Sequence, residues 1–466
     1  MDSSSLEQCL AKLKELFGDR ASDSMSIREQ HSHDESWHVP RLPDVVVSLL
    51  TTEEVSAAVR VCNQFDVPMI AFGAGTGLEG NVNAVRGGVS FDLNGMNQIL
   101  TVHSEDLDVV IQPGVRRIQL NEYLKTSGLF FPVDPGADAT LGGMAATRAS
   151  GTAAVKYGTM KDNVLALEVV LPDGKIIRTA NRAKKSSAGY DLTRLMIGSE
   201  GTLGIITELT LRLQGIPEAM AAAICSFPSL DKAVQTVITI IQSGVSVARV
   251  ELLDDLQVKG VNNFSALGLP ERNTLFFEFH GTPSSVKEQA EYAQAISSDH
   301  GGEDFVWKTT PEERSQLWKA RHNVAYACKT LRPGAELWAT DVCVPISRLA
   351  DCINETKEDL VNSFLLAPIV GHVGDGNFHL TILIDRSDPK EIEEAHRLNK
   401  RLIKRALEMD GTCTGEHGVG IGKAPYLRDE LGDAIDVMQQ IKRAIDPKNL
   451  MNPGKIFIDG DAGLHS

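Results

Sequence analysis

Apolar residues recur at helical spacing near the start of the chain, at Leu6, Cys9, Leu10, Leu13, Leu16 and Phe17, and predict an amphipathic first helix. A stretch rich in His, Asp, Glu and Ser follows, His31 to His38, and reads as a polar loop. From Leu42 the pattern turns to alternating strand and helix. Thr51 and Glu54 form a capping box opening a helix through Cys62, Pro68–Phe72 is a short apolar strand, and Val89–Leu93 is another. Glycine is dense from Gly73 to Gly204 and sparser from Pro217 to about Gly334, which places a domain boundary near Pro217. Beyond it, helices over Ser229–Ile241, Glu312–Thr330 and Lys390–Met409 alternate with strands over Leu275–His280, Leu337–Val344 and His379–Ile384. A helix over Asp433–Ile445 ends in Asp446-Pro447. The pattern reads as an α+β protein in four stretches: a helix and polar loop (1–40), a glycine-rich domain (41–217), a second α+β domain (218–420) and a terminal segment (421–466).

A length of 466 residues suits two cores better than one. The net charge of −16 disfavours a nucleic-acid partner or an anionic membrane surface, so an anionic substrate must be captured by local positive charge. No apolar run reaches the length of a membrane span: Asn163–Leu171 is interrupted by Glu168 and ended by Pro172. The seven cysteines are scattered and never paired as C-x-x-C, which argues for reduced thiols over a disulfide or zinc-ribbon framework. Met1 to Ser5 is neither Arg-rich nor followed by a signal-peptide core, leaving a cytosolic protein or one whose targeting segment is absent.

Gly75-Thr76-Gly77-Leu78-Glu79-Gly80 matches G-x-G-x-x-G directly after a predicted strand. A dinucleotide-binding loop of the Rossmann kind must then open a helix whose N-terminus carries the pyrophosphate. Asn81 to Gly88 carries no helical pattern and leads into a strand, so the nicotinamide reading fails on context. What remains is that closely spaced glycines let backbone N–H groups gather around an anion.

The series Pro68–Asn81, Pro132-Val133-Asp134-Pro135-Gly136, Ala139-Thr140-Leu141-Gly142-Gly143, Tyr157-Gly158-Thr159 and Gly198-Ser199-Glu200-Gly201-Thr202-Leu203-Gly204 resembles the FAD-binding domain of the vanillyl-alcohol-oxidase type, over about residues 40–217. The resemblance implies that Gly73, Gly75, Thr76, Gly77, Gly80 and Asn81 bind the FAD pyrophosphate. Pro135, Thr140, Gly143, Gly151, Gly204 and Ile206 would line the rest, and Asn452, in Asn452-Pro453-Gly454-Lys455, would return to the FAD domain. Some family members attach FAD through a histidine of the first loop. Gly73–Asn81 has none, so the expected FAD is non-covalent.

Gly371-His372-Val373-Gly374-Asp375-Gly376-Asn377-Phe378-His379 reads as a strand end, a tight turn and a returning strand, which brings His372 and His379 to one side. Thr414-Gly415-Glu416-His417-Gly418-Val419-Gly420 supplies a carboxylate and another histidine. Two histidines and a carboxylate leave coordination positions open for substrate, a set that also serves non-haem iron oxygenases. Beside an FAD domain the second domain resembles that of the D-lactate, D-2-hydroxyglutarate and glycolate dehydrogenases. That likeness implies a divalent metal, Mn²⁺ or Zn²⁺, on His372, His379 and Glu416, with His417 as the catalytic base. A metal-bound hydroxyl loses its proton more readily to such a base, and the flavin takes the hydride.

Within Glu312–Thr330, Leu317, Arg321, Val324 and Cys328 share one stripe, so Arg321 faces inward. It either binds the substrate carboxylate, as the resemblance implies, or pairs with an internal Asp or Glu. Lys423 is a weaker candidate, expected to be exposed. The D-2-hydroxyglutarate enzymes carry lysine where Ala339 stands in Trp338-Ala339-Thr340-Asp341; its absence favours a monocarboxylate. The function implied is oxidation of D-lactate, or of longer aliphatic D-2-hydroxy acids, to the 2-oxo acid. Electrons would pass to cytochrome c or an electron-transfer flavoprotein in a mitochondrial setting. D-2-hydroxyglutarate or glycolate oxidation is the alternative within the family. A transferase of the alkyl-dihydroxyacetone-phosphate synthase type shares the flavin domain, but would need a phosphate-binding group and no metal site. A flavoprotein that only binds is disfavoured by His417 next to a ligand.

Overall fold

The computed structural model describes residues 3–265 and 267–457. Residues 458–466 of the terminal segment, and Met1 and Asp2 of the first stretch, lie outside the described residues. The described residues divide into two compact units: those within 3–150, 158–216 and 416–457 form unit 1, and those within 151–157 and 217–415 form unit 2.

In unit 1, β1 (Ala21–Ser22), β2 (Val45–Ser48), β3 (Met69–Phe72) and β4 (Val89–Asp92) assemble in the order β1-β2-β4-β3, with β4 parallel to both β2 and β3. The helix Thr52–Gln64 joins β2 to β3; Thr51 caps it by accepting from Glu54 N, while the Glu54 carboxylate goes to Arg20 and to Leu50 N. This helix buries Val55, Ala58, Val59 and Cys62 in one core with the first helix, Ser3–Phe17. A second sheet is antiparallel: β5 (Ile99–His103), β6 (Asp108–Ile111), β8 (Val164–Val170), β9 (Ile176–Arg178) and β10 (Ile205–Arg212) run in the order β5-β6-β10-β8-β9. A short ribbon pairs β7 (Leu129–Phe130) with β11 (Gln214–Gly215). His31–His38 is irregular, as read from the sequence, yet His31, Ser32, Asp34 and Ser36 are buried.

Unit 2 is one antiparallel sheet of eight strands. These are β12 (Ala219–Phe227), β13 (Val247–Leu253), β14 (Asn273–Gly281), β15 (Glu303–Lys308), β16 (Glu336–Ala339), β17 (Val342–Cys343), β18 (Ile369–His372) and β19 (Asn377–Ile384). The order is β15-β12-β14-β13-β18-β19-β16, with β17 also on β19. Ala222, Leu253, Phe276 and Val370 pack from the sheet against Val258, Val261, Trp318, Val324 and Ala327 of the helices over it. Strand side chains alternate, so Arg249 and Glu251, Glu278 and His280, and His372 share the face of those apolar neighbours, with His379 opposite Val370. One face thus carries an apolar centre continued by a polar row.

Three readings are corrected. The helix expected over Glu312–Thr330 is two, Pro311–His322 and Val324–Cys328, because Asn323 leaves helical dihedrals (φ −91°, ψ 14°), followed by a 3₁₀ turn Lys329–Leu331. The strand expected over Leu337–Val344 is interrupted at Thr340-Asp341. There the Thr340 hydroxyl, rather than a carbonyl, accepts from Leu380 N. Glu416–Gly420 belongs to unit 1 and Gly151–Tyr157 to unit 2, since Val419 and Gly420 bond to Glu200, and Tyr157 to His280. Among the described residues, no helix is long and apolar enough to cross a membrane.

Candidate active site

The chain leaves β3 at Phe72 and enters the glycine loop. Gly75 and Gly80 hold positive φ (69° and 71°), which glycine adopts without cost. No helix follows; the loop runs to β4 through turns. Among the described residues, no backbone N–H from Ala74 to Glu79 donates to a protein acceptor, although Glu79 is buried and the other five are half-buried. The Asn81 Oδ1 atom is buried without a hydrogen-bond partner. A half-buried run of uncommitted amides fits a diphosphate. Gly73, Thr140 and Gly143 converge: a Cβ on either glycine would meet the Thr140 hydroxyl at 3.0 Å or less. Pro135 lies in the half-buried loop before Thr140, and Gly204 and Ile206 open β10, packed on β8 through Val169. Asn452 N donates to Met69 O (2.7 Å), and Asn452 Nδ2 donates to Asn81 O (3.0 Å) and Glu200 O (2.7 Å), fixing the terminal segment on β3 and the loop. Gly151 falls in unit 2.

The segment after Glu416 packs on the same loop. Ile421 N and Gly422 N donate to Glu79 O, and His417 Nδ1 lies 3.7 Å from the Glu79 carboxylate. Lys423 Nζ lies at the same distance from Glu79; expected to be exposed, Lys423 is 2% exposed, because it accompanies a buried carboxylate. Burial pushes the Lys455 ammonium down to about 8, against the pull of Glu200 and Asp34.

In unit 2, His372 ends β18 and His379 lies on β19, two residues past the partner of His372 in the register. Their ring centroids are 5.5 Å apart and nearly perpendicular. His379 Nδ1 lies 2.9 Å from Thr340 O; a carbonyl only accepts, so Nδ1 carries a proton and any lone pair the ring offers is on Nε2. His372 Nδ1 lies 2.7 Å from Glu251 Oε1, so its Nδ1–H is directed at that carboxylate and Nε2 is turned away from it. Arg321 Nε donates to Glu251 Oε2 (2.7 Å), and its Nη2 lies 2.5 Å from the same oxygen. Burial would raise the Glu251 pKa, but Arg321 and His372 together hold it below the usual carboxylate range, so Glu251 is an anion. Arg321 is inward, and of its two sequence readings the pair with an internal glutamate is present. Asp341 Oδ1 lies 3.6 Å from His379 Nδ1.

Sequence reasoning missed Glu251, which orients one imidazole and one guanidinium, and Glu79 and Glu200, which receive the loop after His417. Glu251 leaves a trace: it is the lone carboxylate in Val247–Leu253, a strand that is apolar except for it and Arg249, where a charge implies a buried partner.

Residues 43–180 match the family model described as FAD binding domain, and residues 216–456 the one described as FAD linked oxidases, C-terminal domain. A probable mitochondrial D-lactate dehydrogenase of Danio rerio is 53% identical over 98% of this chain and 93% of its own. The mitochondrial D-lactate dehydrogenase [cytochrome] of Arabidopsis thaliana is 47% identical over 97% and 80%. A solved alkyldihydroxyacetonephosphate synthase superposes with a TM-score of 0.77 at 22% identity, covering 97% of this chain and 86% of that one, a likeness of fold.

Proposed function

The chain belongs to the FAD-linked oxidases of the vanillyl-alcohol-oxidase type, in the family of FAD-dependent D-lactate dehydrogenases, and we propose that it oxidises D-lactate to pyruvate. The observation that carries this reading is 53% identity to a probable D-lactate dehydrogenase over 98% of the chain. The same observation favours it over a transferase, for which only the fold speaks.

FAD, when bound, supplies a two-electron acceptor at flavin N5 for the α-hydrogen of the substrate. The amides of Ala74–Glu79 would hold its diphosphate, without a covalent link. His417 takes the hydroxyl proton. Arg321, oriented by Glu251, meets the carboxylate. His372 and His379, each with Nδ1 committed to the protein, offer Nε2 to a divalent ion, Mn²⁺ or Zn²⁺, with Glu416 as the carboxylate ligand. Such an ion would supply Lewis acidity at the substrate hydroxyl. Ala339, beside Thr381 on β19, offers no cation to a second carboxylate, which favours D-lactate over D-2-hydroxyglutarate. The electrons pass on to cytochrome c or an electron-transfer flavoprotein, in the mitochondrial setting named for both relatives.

Anaerobic mixing of the oxidised, FAD-loaded protein with D-lactate and with L-lactate tests the reading. Bleaching of the flavin by the D-isomer alone is expected. Equal bleaching by both, or none by D-lactate, overturns it.

A further inference from the structure

Glu200 stands in the turn before β10 with its backbone in the left-handed region (φ 51°), where a non-glycine residue stays only if its surroundings hold it. Its side chain is buried. Glu200 Oε1 accepts from Val419 N (2.5 Å), and Glu200 Oε2 accepts from Gly420 N (2.9 Å) and Asn81 Nδ2 (2.8 Å). The carboxylate therefore joins the loop that begins with Glu416 and His417 to the glycine loop. The fit is close: Gly418 has φ 82°, and a Cβ there would lie 2.9 Å from Glu200 Oε1. Asn452 Nδ2 holds Glu200 from behind through its carbonyl.

We propose that Glu200 is a positioning residue for His417, fixing the loop that carries it through the amides two and three residues further on. The inference rests on the assignment of His417 as the base. Glu200 itself does not touch the reacting atoms. All three hydrogen bonds to its side chain come from donors, so the position requires two acceptor oxygens. Glutamine has the right size, but sets an NH₂ group against at least one donor. Aspartate is one methylene short, but keeps both acceptors. A clamp of this kind ranks Asp above Gln, the reverse of a ranking by size.

The test uses the FAD-loaded enzyme with Glu200→Gln, Glu200→Asp, His417→Ala and the double variant Glu200→Gln/His417→Ala. Flavin reduction by saturating D-lactate is followed anaerobically, and amide hydrogen exchange is measured at Val419 and Gly420. Glu200→Gln is expected to slow reduction by about 10–100-fold, the scale set by a small misplacement of a reacting group, with KM little changed. Exchange at both amides should accelerate, Glu200→Asp should restore part of the rate, and Glu200→Gln should add nothing once His417 is alanine. A normal rate in His417→Ala overturns the base assignment, whatever Glu200 does. A slow His417→Ala beside a normal Glu200→Gln, unchanged exchange, or a Glu200→Asp slower than Glu200→Gln overturns the positioning role. If Glu200→Gln does not retain FAD, Glu200→Asp is read in the same way: faster exchange together with slower reduction supports the role, and either change alone overturns it.

Discussion

Glu251 shows what a single buried charge can govern. It has no exposed surface, and its two oxygens serve Arg321 and His372. Removing the guanidinium strands an anion in the core, so Arg321→Ala should destabilise the protein by about 3–5 kcal/mol in denaturant unfolding. If the arginine also meets the substrate carboxylate, Arg321→Ala must weaken D-lactate as well; an unchanged KM would leave it with Glu251 alone. At His417 the expectation is kinetic. His417→Ala should slow flavin reduction by about 10² or more while FAD content persists, and a near-normal rate would move the base elsewhere. The histidines were legible because glycine-flanked loops in the sequence single them out. Their orienting partners were not, because Glu251 and Thr340 are remote in sequence and join His372 and His379 only through sheet pairing. Lys423 was misread for the same reason: its environment is made by Glu79.

Elements came out of the periodicity well where propensity and tertiary contact agree, as in Thr52–Gln64 and Pro389–Glu408. They broke where a side chain took over a backbone bond. Thr340 does this, and its freed carbonyl is what His379 Nδ1 meets. The interruption thus belongs to the site, and no period-two pattern announces it. Next to it, Ala339→Lys should raise kcat/KM for D-2-hydroxyglutarate relative to D-lactate, since an ammonium can meet the second carboxylate and adds nothing for a methyl group. An unchanged ratio removes Ala339 as the selective position. Another element end carries a pH signature. Asp254 heads the helix Asp255–Ser265 by accepting from Gln257 N, and burial pushes its carboxyl up to about 6 despite Lys357. The folded chain therefore holds this proton more tightly than the unfolded chain does. The contribution is fully present below the ordinary carboxylate pKa and is lost as pH rises through 6. Asp254→Asn keeps the acceptor for Gln257 N and should flatten stability between pH 4 and 7, removing about 2–3 kcal/mol of the fall. Unfolding midpoints across that range decide it.

Over the entire molecule, the division into two units and the change of unit at Pro217 could be approached from length and glycine density, whereas the exchange of short segments between the units could not. Glu416–Gly420 belongs where Glu200 binds it, and composition carries no trace of that. The cofactor loop gives a bulk expectation: acid-precipitated protein should leave its flavin in the supernatant, because no histidine lies in Gly73–Asn81 to tether it. Colour in the pellet would refute a dissociable cofactor. The terminal segment has a consequence in time. Asn452 closes on the carbonyl of Asn81, 371 positions earlier. At ribosomal rates of ~5–20 residues per second, that partner arrives roughly 20–75 s after the loop it completes. Until then β3, at the end of its sheet, lacks Leu450 O and Asn452 N and presents an open edge. The nascent chain must therefore complete all of unit 2 before that edge can be covered, and until then the edge is open to premature pairing with another chain.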